Sequence, residues 1–136
     1  MKTILIIEDD ARIAAALEVR LKAAGYKVLI AADGHNGILA AASQNPDLII
    51  SDIWMPKPIG FLGSERRRFL GLEHVPVIYI TGSRKEDLGR IAIEEGAVAF
   101  FEKPYDPQKL LATVAAALAQ HPQPIKQPAF ELSEVS

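Results

Sequence analysis

Five short runs of the chain are almost wholly apolar, and none alternates with polar residues as a strand with one wet face would. They are Thr3–Ile7, Lys27–Ala31, Asp47–Ser51, Val75–Ile80 and Ala97–Phe101. Strands of this kind must be covered on both sides, which is the signature of a parallel sheet. The intervening stretches have helical periodicity. Ile13, Leu17 and Leu21 recur at i, i+4 and i+8, and Gly25 offers a C-terminal stop. Asp106-Pro107 reads as an N-cap followed by a first-turn proline, with Leu110, Val114 and Leu118 on one face. Ser83-x-x-Glu86 is a capping-box pattern opening a helix that ends near Gly96. Strand and helix therefore alternate five times, which predicts an α/β fold, a parallel sheet wound on both faces.

Two predicted helices are weaker. Gly34–Ser43 is short, and Phe61–Leu72 contains Gly63 and Gly71; Gly89 weakens the helix after Ser83 in the same way. Each interior glycine costs up to about 1 kcal/mol relative to alanine. Either this is ordinary irregularity, or the helix after the fourth strand is kept marginal because it moves. Beyond His121 the periodicity stops and prolines accumulate, so 121–136 reads as an extended tail or linker. Within it, Phe130-Glu131-Leu132 is either a docking element or frayed tail.

The 136 residues suit one domain, and a formal charge of −2 speaks against broad binding to nucleic acid or to an anionic membrane. Without cysteine, disulfides, thiol catalysis and thiolate metal sites are excluded. No run approaches the roughly 20 apolar residues of a spanning helix, and the expected location is the cytoplasm.

A parallel sheet gathers the carboxyl ends of its strands at one edge, where ligands of such folds bind. Those ends carry Glu8-Asp9-Asp10, Asp52, Thr81 and Lys103-Pro104. Crowded carboxylates repel, and a hard divalent cation with oxygen ligands relieves them; magnesium suits, with manganese as a substitute. A carboxylate nucleophile, a cation, an ammonium and a hydroxyl together are equipment for phosphoryl transfer. His35, His74 and His121 are scattered and expected at the surface.

Four segments carry a resemblance: Ile4-Leu5-Ile6-Ile7-Glu8-Asp9-Asp10, Pro46 through Pro56, Pro76-Val77-Ile78-Tyr79-Ile80-Thr81-Gly82, and Gly96-Ala97-x-x-Phe100-Phe101-Glu102-Lys103-Pro104. The chain resembles a receiver domain of a two-component response regulator over about residues 1–120. The resemblance implies a flavodoxin-like doubly wound fold of five βα units with strand order 2-1-3-4-5. It implies that Asp52 accepts a phosphoryl group from the phosphohistidine of a histidine kinase or histidine phosphotransfer protein. Glu8, Asp9, Asp52 and the main-chain carbonyl of Trp54 would hold magnesium. Lys103 would contact the phosphoryl group, its bond to Pro104 would be cis, and Thr81 with Phe100 would form the switch that alters a partner-binding surface.

Such a chain is a phosphoacceptor signalling through a downstream protein or effector domain, not an enzyme turning over an external substrate. The resemblance implies that Trp54 and Ser83, two residues after Asp52 and Thr81, flank the path of the hydrolytic water, and the indole should slow loss of the phosphoryl group. Ile59-Gly60 stands where the family often has Asp-Gly, so the local loop shape departs from the family. Arg66-Arg67-Arg68 reads as a solvated helix face, with a site for a partner or nucleic acid as the alternative. On the last helix Lys109 and Thr113 replace the acid and arginine of the winged-helix regulators. This disfavours that charge network while leaving a dimer through the last two helices open.

Three other classes compete. A receiver serving only as an interaction module is opposed by the complete acid–Asp–Thr–Lys set. A dinucleotide enzyme is opposed by the acidic turn after the first strand, which lacks Gly-x-Gly-x-x-Gly. A metal-dependent phosphatase wants two aspartates spaced by two at that turn, and here the pair Glu8 and Asp10 begins with glutamate. With only about 16 residues beyond the receiver-like region, the chain is expected to be either a stand-alone regulator or a receiver cut from a longer protein.

Overall fold

The computed structural model describes residues 1–52, 64–82 and 87–120. The strands are β1 (Thr3–Ile7), β2 (Lys27–Ala31), β3 (Leu48–Asp52), β4 (Val77–Thr81) and β5 (Ala99–Glu102). The helices are α1 (Ala11–Ala23), α2 (Gly34–Gln44), α3 (Ser64–Phe69), α4 (Asp87–Glu94) and α5 (Pro107–Gln120). All four strand pairings are parallel, and the order across the sheet is β2-β1-β3-β4-β5. This is the flavodoxin-like arrangement that the resemblance implies.

The apolar runs lack alternation because both faces of the sheet are buried. Leu5, Ile7, Ile49, Val77 and Tyr79 point to one side and pack with Ala41 of α2, Leu72 and Ala92 of α4. Ile4, Ile6, Leu48, Ile50, Ile78 and Ile80 point to the other and meet Leu17 and Leu21 of α1 and Leu110, Val114 and Leu118 of α5. Burial of each such side chain contributes about 1.5–3 kcal/mol, so the two cores fix which way every strand residue faces. An additional tie holds the start of the sheet, where the Thr3 N–H donates to Asp47 Oδ2 at 2.7 Å.

Helix ends follow the expected chemistry. Asp106 caps α5 through Oδ1, which accepts from the Gln108 N–H at 2.9 Å, and Asp33 caps α2 by accepting from Asn36 at 2.8 Å. Gly25 takes φ +96° after α1, a conformation that a side chain would strain, and the Tyr26 N–H closes on the Leu21 carbonyl.

Several boundaries differ from the sequence pattern by one or two residues, the strand starts of β4 and β5 most. β5 starts at Ala99 because the Ala97 N–H is spent closing α4, on the Ala92 carbonyl. β4 starts at Val77, after a turn in which Val75 N–H bonds Leu72 O. The described part of the third helix is Ser64–Phe69, and the expected helix start at Ser83 lies outside the described residues, as do Gly63, Trp54, the Ile59-Gly60 segment, His121 and the 121–136 tail. Among the described residues no helix is long and apolar enough to cross a membrane.

Candidate functional site

The parallel sheet delivers Glu8, Asp52, Thr81 and Lys103 to one edge. Glu8 directly follows β1 and its N–H bonds to Ala31 O, so the acid is seated as an extension of the strand. Asp52 is the last residue of β3, and Lys103 is drawn in by its own N–H bond to Thr81 O at 2.7 Å. The Lys103–Pro104 peptide is cis, as the resemblance implies. Lys103 Nζ then lies 3.2 Å from Glu8 Oε1 and 3.3 Å from Asp52 Oδ2.

The three consecutive acids after β1 divide their work. Asp10 Oδ1 accepts from the Arg12 and Ile13 N–H groups and caps α1. Glu8 and Asp9 are left for the site, where one carboxylate oxygen each from Glu8, Asp9 and Asp52 lies within 4.8 Å of the others. Asp52 Oδ1 is buried without a hydrogen-bond partner among the described residues. An acceptor left so is costly, and a hard cation among three carboxylates would satisfy it. The residues present therefore fit a divalent metal ion held by oxygen.

Burial pushes the Glu8 carboxyl up to about 7, and the Asp52 charge pushes the same way; the Asp10 N–H bond opposes them. Burial also works against the Lys103 ammonium, but the Asp52 and Glu8 charges outweigh it and hold the lysine above its ordinary value. The Glu8 shift sets a sign. Folded protein holds a proton that the unfolded chain releases near 4.5, so this group erodes stability as pH rises from about 4.5 to about 7. In chelator, Glu8→Gln should flatten the fall in melting temperature across that window. A slope unchanged in the variant would assign it to other groups.

Thr81 is fully buried at the end of β4. Phe100 sits beside Tyr79 in the sheet register and packs, half-buried, on the core that includes Ala92. Gly89 of α4 faces its ring, and a Cβ there would lie 3.2 Å from Phe100 Cδ2. The glycine that looks out of place by helix propensity thus makes room for an aromatic ring. His35 and His74 are exposed, as expected. Trp54 and Ser83 fall outside the described residues.

One expectation is corrected. Arg66 and Arg68 are exposed, but Arg67 is buried, and its guanidinium donates to the carbonyls of Glu95 and Gly96 at 3.3 and 3.5 Å. The helix face is thus not uniformly solvated. No pattern in the sequence separates the middle arginine from its neighbours.

The family model of the response regulator receiver domain matches residues 4–115. The chain belongs to this family. The receiver thereby takes its place in two-component signal transduction, as a signalling domain. Its relatives include the DNA-binding dual master transcriptional regulator RpaA of Synechocystis sp., 37% identical over 124 residues, covering 87% of this chain and 49% of that protein. Transcriptional regulatory protein AfsQ1 of Streptomyces coelicolor is 35% identical, with 87% of this chain and 52% of that protein covered. The receiver therefore spans about half the length of these relatives. Among solved structures, the chemotaxis protein CheY4 of Vibrio cholerae superposes with a TM-score of 0.76 at 29% identity, over 87% of this chain and 99% of that one.

Proposed function

We propose that this receiver accepts a phosphoryl group on Asp52 from the phosphohistidine of a histidine kinase or a histidine phosphotransfer protein. The observation that carries the reading is the convergence of Glu8, Asp9, Asp52 and Lys103, with a buried Asp52 oxygen that has no hydrogen-bond partner among the described residues. A carboxylate oxygen of Asp52 attacks phosphorus, the phosphorus–nitrogen bond breaks, and the imidazole nitrogen keeps the electron pair. Glu8, Asp9 and Asp52, with the Trp54 carbonyl that the resemblance adds, would hold magnesium, or manganese in its place, and the ion would supply positive charge to offset that on the transferring oxygens. Lys103, already bonded to Asp52, orients the nucleophile and meets a phosphoryl oxygen.

The new charge on Asp52 gives Thr81 an acceptor and biases the packing of Phe100, so that partners read the face around α4 and β5. Those partners are a downstream protein or an effector domain, consistent with relatives about twice as long whose names describe transcriptional regulators. Residues 1–120 form the receiver and 121–136 the tail or linker. Self-association through the last two helices would have to do without an acid–arginine pair, since those positions hold Lys109 and Thr113, the latter's hydroxyl donating to Lys109 O within α5. Trp54 and Ser83 tune loss of the phosphoryl group, a role that the resemblance implies for the positions two residues after Asp52 and Thr81.

Incubation with magnesium and acetyl phosphate should add one phosphoryl mass to the chain, and Asp52→Ala should abolish the gain. Equal labelling of the variant would move the acceptor elsewhere, and no labelling of either would leave an interaction module.

A further inference from the structure

The buried Arg67 joins two helices that the sequence separates by a strand. α4 closes with Gly96 at φ +95°, the Ala97 N–H returning to Ala92 O and the Gly96 N–H to Ile93 O. That closure takes two of the carbonyls a helix leaves open at its end, but not that of Glu95. Arg67 reaches across from α3 and donates to Glu95 O, with its second nitrogen on Gly96 O. A cation here also faces the negative end of the α4 dipole, which offsets the cost of burying an arginine only 6% exposed. α3 is in turn anchored where its own last turn closes, by the Leu72 N–H on Arg67 O.

We propose that Arg67 is the C-terminal cap of α4, supplied by α3, and that it fixes this end of α4 as the pivot about which the helix responds to the site. Parallel strands with returning helices put the ends of α3 and α4 at the edge opposite Asp52. The start of α4 lies toward the site edge, and its Gly89 meets the Phe100 ring. A helix held at one end and touched near the other swings at the touched end. Arg67 is thus a positioning residue: it touches no reacting atom, yet it confines the change in surface to the first turns of α4. The pivot, though not the cap, rests on the proposed phosphoryl chemistry.

Hydrogen exchange of the full chain tests both parts. In chelator, Arg67→Met should speed exchange of the Glu95, Gly96 and Ala97 amides by at least about tenfold while α1 and α5 stay as in wild type. Arg67→Lys, which keeps the charge but not the fork, should fall between and serves if the methionine variant folds poorly. Unchanged exchange at 95–97, or acceleration spread equally over α1 and α5, would overturn the cap. With magnesium and beryllofluoride, wild type should change at 87–91 and not at 95–97, whereas Arg67→Met should change at both. Equal changes at both ends of α4 in wild type would overturn the pivot. If beryllofluoride altered no peptide at Asp52 or Lys103, the phosphoryl reading would fail and the chelator comparison would still decide the cap.

Discussion

Lys103→Met should disable phosphoryl uptake on the order of a hundredfold, the usual scale for losing one group that stabilises a transferring centre. The same variant should carry a stability signature that rises with pH. Lys103 is the cation between Glu8 and Asp52, at 3.2 and 3.3 Å, and both carboxylates keep only 5% of their side-chain surface. Removing it leaves two acids facing each other. At about pH 5.5 Glu8 is protonated in the folded state and relieves the repulsion, so the loss should be small. At about pH 8, above the Glu8 value, that proton is gone, and the loss should reach about 2 kcal/mol, below the figure for a fully buried pair because Lys103 keeps partial access to water. Saturating magnesium should return more stability to the variant than to wild type, by binding where the lysine charge was lost. Thermal unfolding at the two pH values, with and without the ion, decides the matter. A loss equal at both would mean that the lysine contributes packing rather than charge.

Gly37→Ala should be the most damaging small substitution in the described structure. A Cβ at Gly37 would lie 2.5, 2.8 and 3.0 Å from the Cδ1, Cγ1 and Cγ2 atoms of Ile7. Contact with both branches means that turning the end of the isoleucine does not relieve it, so α2 or β1 must shift. Alanine is favoured over glycine within a helix by up to about 1 kcal/mol, but overpacking costs about 1–3 kcal/mol. The net should be a loss of about 1–2 kcal/mol, seen as a melting temperature lower by roughly 5–10 °C. Ile7→Ala should destabilise alone by opening a cavity, and the double variant should lose less than the two losses added. Strict additivity would show that the two side chains do not compete for the same space. Because Ile7 precedes Glu8, the shift forced by alanine should also weaken magnesium binding.

The sequence displayed the sheet because burial on both faces leaves strands with no polar alternation, a pattern few other settings produce. It displayed the site edge because parallel topology makes strand ends neighbours whatever their separation along the chain. The gathered Glu8, Asp9, Asp52 and Lys103 are the direct result. What it did not display depends on direction rather than composition. Nothing in Glu8-Asp9-Asp10 says which acid turns back to cap α1; that follows from where β1 stops. In α3 the hydrophobic rule is inverted, with Phe69 88% exposed and Arg67 buried, because the end of α4 offers carbonyls that only a long cation can reach. The start of β5 slid by two residues for a related reason: closing a helix claimed an N–H that the strand pattern had assigned to the sheet.

The sharing of labour among Glu8, Asp9 and Asp10 also bears on how such a domain can vary. Between the last residue of β1 and the first of α1 stand three positions, each already committed: two face the site and one holds the helix. Substitutions there can be graded, aspartate for glutamate or asparagine for aspartate. Length cannot. Deleting one residue would force the cap into the role of a ligand or leave the helix uncapped, and inserting one would carry the helix out of register with the strand. The junction is a fixed ruler, and insertions or deletions between Ile7 and Ala11 should be absent from functional descendants of this chain even where its surface loops change freely in length.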